Sequence, residues 1–122
     1  MPYKIEIVSD PGYILVNQSG NVDVGEMENI RKAVFKQVVE HGLSKVAVDV
    51  SNMTNEYTIS EFFNITVENA AHKTDFPKPR VCLIVRKDQE ENARFVENVG
   101  VNRGMPIKYF TDKEAALEWL LS

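Results

Sequence analysis

The sequence predicts a single α/β domain built on a mixed, mostly parallel five-stranded sheet with four helices, in the order β-β-α-β-α-β-α-β-α. Three observations predict it. Two β-patterned runs flank Asp10-Pro11-Gly12, helix-period segments then alternate with short apolar runs, and each expected helix start carries an acceptor side chain with glutamate three residues later. The 122 residues are within the usual size of one domain, and no repeat, low-complexity tract or linker divides them, so 1–122 is read as one unit.

Tyr3 to Val8 alternates Tyr3, Ile5 and Ile7 with Lys4 and Glu6, and Tyr13-Ile14-Leu15-Val16 follows the turn, which predicts a hairpin. Proline presets φ at the first central turn position and glycine accepts positive φ at the second, so a type II turn is expected. From Val24 to His41 the residues Met27, Ile30, Val34, Phe35 and Val38 recur at helical spacing, and Gly42 supplies a stop. Lys45 to Val50 is a short strand. Val81 to Val85 is apolar at every position, as in a strand covered on both faces.

Ile59 to Lys73 gathers Phe62, Phe63, Thr66, Val67 and Ala70 on one broad face, and Glu91 to Arg103 does the same with Phe95, Val96 and Val99. Pro77 and Pro79 break the chain before Val81, and Gly104 and Pro106 break it before a strand at Ile107 to Phe110. The last helix, Lys113 to Leu121, offers Ala116, Leu117, Trp119 and Leu120 for packing. The capping pairs are Asp23 with Glu26, Thr58 with Glu61, Asp88 with Glu91, and Thr111 with Glu114.

A composition of 43% hydrophobic and 26% charged residues predicts order nearly end to end. The net charge of -4, with Lys and Arg scattered, gives no reason to approach a phosphate backbone, so nucleic acid is not an expected partner. Cys82, the single cysteine, sits in an apolar run where a small hydrophobe fits and suits a reducing compartment. The N-terminus lacks a signal-peptide pattern and no apolar run is long enough to span a bilayer, so a cytoplasmic location without a membrane span is expected.

The chemical inventory points away from catalysis. There is no P-loop and no dinucleotide fingerprint, and Gly100 to Gly104 reads as a helix stop. His41 and His72 stand at helix ends without further ligands at metal spacing, which predicts no metal and no cofactor. Cys82 reads as a buried, unreactive thiol, Glu90, Glu91 and Glu97 as a solvated helix face, and Trp119 as the anchor of the last helix. No catalytic residue is assigned.

The segment Ser51 to Ser60 runs from the end of an expected parallel strand to a helix start, the edge where open α/β sheets hold ligands. It is rich in hydroxyls and amides, with Ser51, Thr54, Thr58 and Ser60 as candidate switch or partner-binding positions. A phosphate on Thr58 or Ser60 would meet free backbone N–H groups; a plain capped loop is the other reading.

With these elements in order, the chain resembles the STAS superfamily, specifically SpoIIAA-like domains of the branch related to CRAL-TRIO lipid-binding proteins. The run Val46-Ala47-Val48-Asp49-Val50-Ser51-Asn52-Met53 is similar to the family strand ending in Asp-Leu-Ser-Gly-Val, and Phe110 to Leu120 looks like the C-terminus of that branch. In phosphorylated members the following loop reads Asp-Ser-Ser/Thr-Gly. Counting from Asp49, Tyr57 stands at the Asp position, Thr58 at the phosphorylated Ser and Ser60 at the Gly, so only the hydroxyl is kept.

The resemblance implies two roles. One is a non-enzymatic module sheltering a small hydrophobic molecule or lipid, with Tyr57, Phe62, Phe63, Phe76 and Phe95 as the apolar wall, although aromatics at helical spacing also serve as plain core. The other is a partner-switching regulator of the anti-sigma-factor-antagonist type, bound to a regulatory protein and controlled at a Ser or Thr before the second helix. The opening hairpin would also leave an edge strand able to pair with a second copy as a homodimer.

Overall fold

The computed structural model describes residues 3–21, 24–54, 80–102 and 106–122. Five strands form one sheet in sequential order: β1 (Tyr3–Val8), β2 (Tyr13–Gly20), β3 (Lys45–Met53), β4 (Arg80–Ile84) and β5 (Ile107–Phe110). β1 and β2 are antiparallel, and every later neighbour is parallel. The described helices are α1 (Val24–His41), α2 (Glu90–Asn102) and α3 (Lys113–Leu121), with a 3-10 turn at Lys87–Gln89. The α/β class and the mixed, mostly parallel five-stranded sheet are those expected; the helix expected at Ile59 to Lys73 lies outside the described residues.

The hairpin pairs Val8 with Tyr13 and Ile5 with Val16. Gly12 takes φ +104°, the positive value that glycine accepts without a Cβ clash. The Asp10–Pro11 peptide is cis. Gly42, at φ +64°, follows the last residue of α1 as the expected stop.

Alternation along the strands sorts the core into two layers. On one face Ile14, Val16, Val46 and Met53 meet Ile30 and Val38 of α1, with Tyr3, Ile5 and Ile7 packed alongside. On the other, Leu15, Ala47, Cys82 and Ile84 meet Ala116 and Leu120 of α3. Each fully buried aliphatic side chain contributes about 1.5–3 kcal/mol of transfer free energy. Trp119 anchors α3 as expected: its ring lies 5.9 Å from that of Phe110, and the Arg80 guanidinium sits 4.2 Å over it. Arg80 also donates to the backbone oxygen and hydroxyl of Ser122, tying the end of α3 to the start of β4.

Two caps differ from expectation. At α3 the capping residue is Asp112, whose carboxylate accepts the Glu114 N–H at 3.1 Å; the expected pair of Thr111 with Glu114 is not the cap. Asp112 has the extended backbone of an N-cap, and its short carboxylate reaches the donor two residues on. Asp112→Ala is expected to lower stability by about 1 kcal/mol, against under about 0.5 kcal/mol for Thr111→Ala, as urea midpoints would measure. Before α2 the reciprocal bonds run between Arg86 and Gln89: the Arg86 N–H donates to Gln89 Oε1 at 2.7 Å and the Gln89 N–H to the Arg86 carbonyl at 2.9 Å. Asp88 instead pairs with the Arg86 side chain. Asp23 and Thr58 lie outside the described residues.

Cys82 is fully buried, and that burial pushes its thiol up to about 11. The thiolate is the reactive form, so at pH 8 native labelling is expected to be on the order of a hundredfold slower than labelling of the denatured chain. A native labelling rate matching the denatured one would contradict this packing.

Candidate functional site

Parallel strands present their carboxyl ends together, and here those ends carry the polar side chains. β4 pairs with β3 only as far as Ile84 opposite Asp49, so Val50 to Met53 overhang their neighbour. The overhanging carbonyls have lost a strand partner and need another donor. Two side chains supply it. Gln89 Nε2 donates to the Val50 carbonyl at 3.0 Å, and Arg86 Nη1 donates to the carbonyls of Ser51 and of Met53, the latter at 2.8 Å.

The clamp is held from behind. Asp88 accepts from Arg86 Nε at 3.0 Å, fixing the guanidinium, and these hydrogen bonds hold the Asp88 carboxyl below its ordinary value. The contribution of this exposed pair is present at neutral pH and fades as pH falls through the lowered pKa of Asp88.

On the β2 side the register slips. Asn17 lies opposite Asp49 but Ser19 lies opposite Asn52, so Gln18 alone faces Val50 and Ser51 in a β-bulge. Asp49 stabilises the extra residue by accepting from the Ser51 N–H at 2.9 Å and the Ser51 hydroxyl at 2.6 Å. Beyond it, the Thr54 N–H donates to the Gly20 carbonyl at 2.9 Å. By alternation Gln18 shares the face of Ile14 and Val16. It is 4% exposed, and its Oε1 has no hydrogen-bond partner among the described residues.

The outer side of β5 is also furnished by α2. The Tyr109 N–H donates to Glu97 Oε1 at 3.0 Å and the Tyr109 hydroxyl to Glu90 Oε2 at 3.3 Å. Arg94 is held above its ordinary value, chiefly by Tyr109 and then by Glu90 and Glu91. Glu90 and Glu97 are therefore half-buried structural acceptors, which corrects the expected solvated face; Glu91 alone is exposed.

Of the expected site residues, Ser51 is half-buried with its hydroxyl committed to Asp49, Thr54 is exposed just past β3, and Phe95 is half-buried on α2. Tyr57, Thr58, Ser60, Phe62, Phe63 and Phe76 lie outside the described residues, as does His72. Arg86, Gln89 and Gln18 are the residues that sequence reasoning missed. Among the described residues no group of three His, Cys, Asp or Glu is arranged to hold a metal ion, and no helix is long and apolar enough to cross a membrane.

The sheet order, the two-layer core and the polar carboxyl edge define a mixed α/β module. The family described as SpoIIAA-like matches residues 13–121, and the chain belongs to it. The structure is similar to that of an uncharacterised protein of the DUF3478 family with a SpoIIAA-like fold from Shewanella loihica PV-4, at 18% identity and TM-score 0.63, covering 97% of this chain and 91% of that one. It is also similar to the protein TM1081, at 15% identity and TM-score 0.54, covering 95% and 86%. No curated protein matches the chain.

Proposed function

We propose that this SpoIIAA-like domain is a non-enzymatic module that binds a small hydrophobic molecule or lipid bearing a hydrogen-bond donor. The observation that carries the reading is Gln18. A buried acceptor without a partner among the described residues is uncommon and costs about 1–3 kcal/mol, and by alternation Gln18 shares the face on which Ile14 and Val16 meet α1. An amphiphile that places a hydroxyl or amide N–H on Oε1 and its chain among apolar side chains would satisfy both requirements, as small-molecule sites do.

The other polar groups favour binding over chemistry. Ser51 and Asp49 bond each other, Arg86 and Gln89 hold strand carbonyls, and the Cys82 thiol is buried and protonated. Phe95 contributes to the apolar wall in this reading, with Tyr57, Phe62, Phe63 and Phe76 joining it on sequence grounds. Titration with fatty acids, fatty alcohols and lipid amides tests it: binding by chains with a donor head group is expected, and no binding by any of them would overturn it.

A partner-switching role has less support at Ser51, because a phosphate there would face the Asp49 carboxylate at hydrogen-bond range. Exposed Thr54 is the described hydroxyl that suits modification, with Thr58 and Ser60 as the sequence candidates. Phosphoproteomics of the source cells separates this reading from the first.

A further inference from the structure

We infer that β1 is a self-association edge, pairing antiparallel with β1 of a second copy about a two-fold axis through Ile5. The sheet has two edges, and they are treated differently. At β5, a strand of four residues, Glu97 of α2 takes the Tyr109 N–H. β1 is six residues long, ends the sheet on the other side, and has no described element along its outer edge. An edge of that length with no neighbour among the described residues is a template for another strand.

The sequence of β1 selects the occupant. Lys4 and Glu6 share one face, with side chains 74% and 43% exposed and 3.2 Å apart. An antiparallel pair centred on Lys4 or on Glu6 would set like charges directly opposite, which destabilises a sheet. Centred on Ile5, Lys4 of each copy lies opposite Glu6 of the other, so four alternating charges close a square. On the other face Tyr3 meets Ile7, and Ile5 meets its own copy. The row Ile5, Val16, Val48, Leu83, Tyr109, half-buried but for the fully buried Val16, then continues unbroken into the second sheet. The interface is isologous, as a two-fold dimer requires.

Sedimentation equilibrium of the full chain tests the inference with two single charge reversals and their combination. The wild-type chain is expected to dimerise reversibly. Lys4→Glu and Glu6→Lys should each weaken dimerisation by about tenfold or more, because two opposite-charge pairs become like-charge pairs. An equimolar mixture of the two single variants should form a heterodimer of wild-type strength, and the double variant Lys4→Glu/Glu6→Lys should dimerise like the wild type. Circular dichroism confirms that each variant is folded, and the double variant serves if a single one is not. A wild-type chain that stays monomeric at millimolar concentration, single variants that dimerise undiminished, or a mixture no stronger than its components would each overturn it.

Discussion

Arg86→Ala is expected to lower the unfolding free energy by about 2–3 kcal/mol, because one guanidinium serves two backbone carbonyls of β3 that lie past the end of its pairing with β4. Removing it leaves the Ser51 and Met53 carbonyls to water or to nothing, and it frees Asp88 from its anchor. The loss should be local first. Amide exchange at Ser51 to Thr54 should accelerate before the core strands loosen, since the overhang of β3 depends on these side chains. Arg86→Lys should recover less than half of the loss, because an ammonium on a flexible stem cannot hold the planar arrangement that joins Asp88 to the two carbonyls. Lys87→Ala, next to it but exposed, should change stability by under about 0.5 kcal/mol. Urea unfolding of the three variants reads all of this; an Arg86→Ala midpoint equal to that of Lys87→Ala would show that Arg86 does not hold the overhang of β3.

Gln18→Leu should act in the opposite direction on stability. Leucine fills a similar volume and eliminates a buried acceptor without a partner, so the variant is expected to gain about 1–2 kcal/mol while losing affinity for a donor-bearing amphiphile by about tenfold. Stability gained together with binding lost marks a residue kept for function. A variant that is less stable than the wild type would mean that Oε1 is satisfied in solution, and the proposed anchor would fail.

Much of the architecture was legible because periodicity reports burial. The helix at Val24 to His41 and the one at Lys113 to Leu121 have the bounds that their apolar spacing and stops predict. Strand ends were less legible. β2 runs on to Gly20 and β3 to Met53, beyond the apolar alternation, because backbone pairing carries Asn17-Gln18-Ser19 and Ser51-Asn52-Met53 where side-chain pattern falls silent. The same limit hid the site. Arg86 and Gln89 matter because β3 overhangs β4, and an overhang is a relation between two strands far apart in the chain. Gln18 reads as an ordinary polar residue until the bulge opposite it and the helix above it are known. The cap of α3 falls one residue past the expected Thr111 because Thr111 and Asp112 both offer an acceptor, and only backbone geometry chooses between them.

In the proposed function an apolar ligand with one donor group is held at Gln18. Native mass spectrometry of wild type and Gln18→Leu, each incubated with the same long-chain alcohol and the corresponding alkane, tests it most directly. The wild-type complex with the alcohol should be stronger than that with the alkane, and the Gln18→Leu protein should no longer distinguish the two. Equal preference for the alcohol in both proteins, or no complex in either, would contradict it.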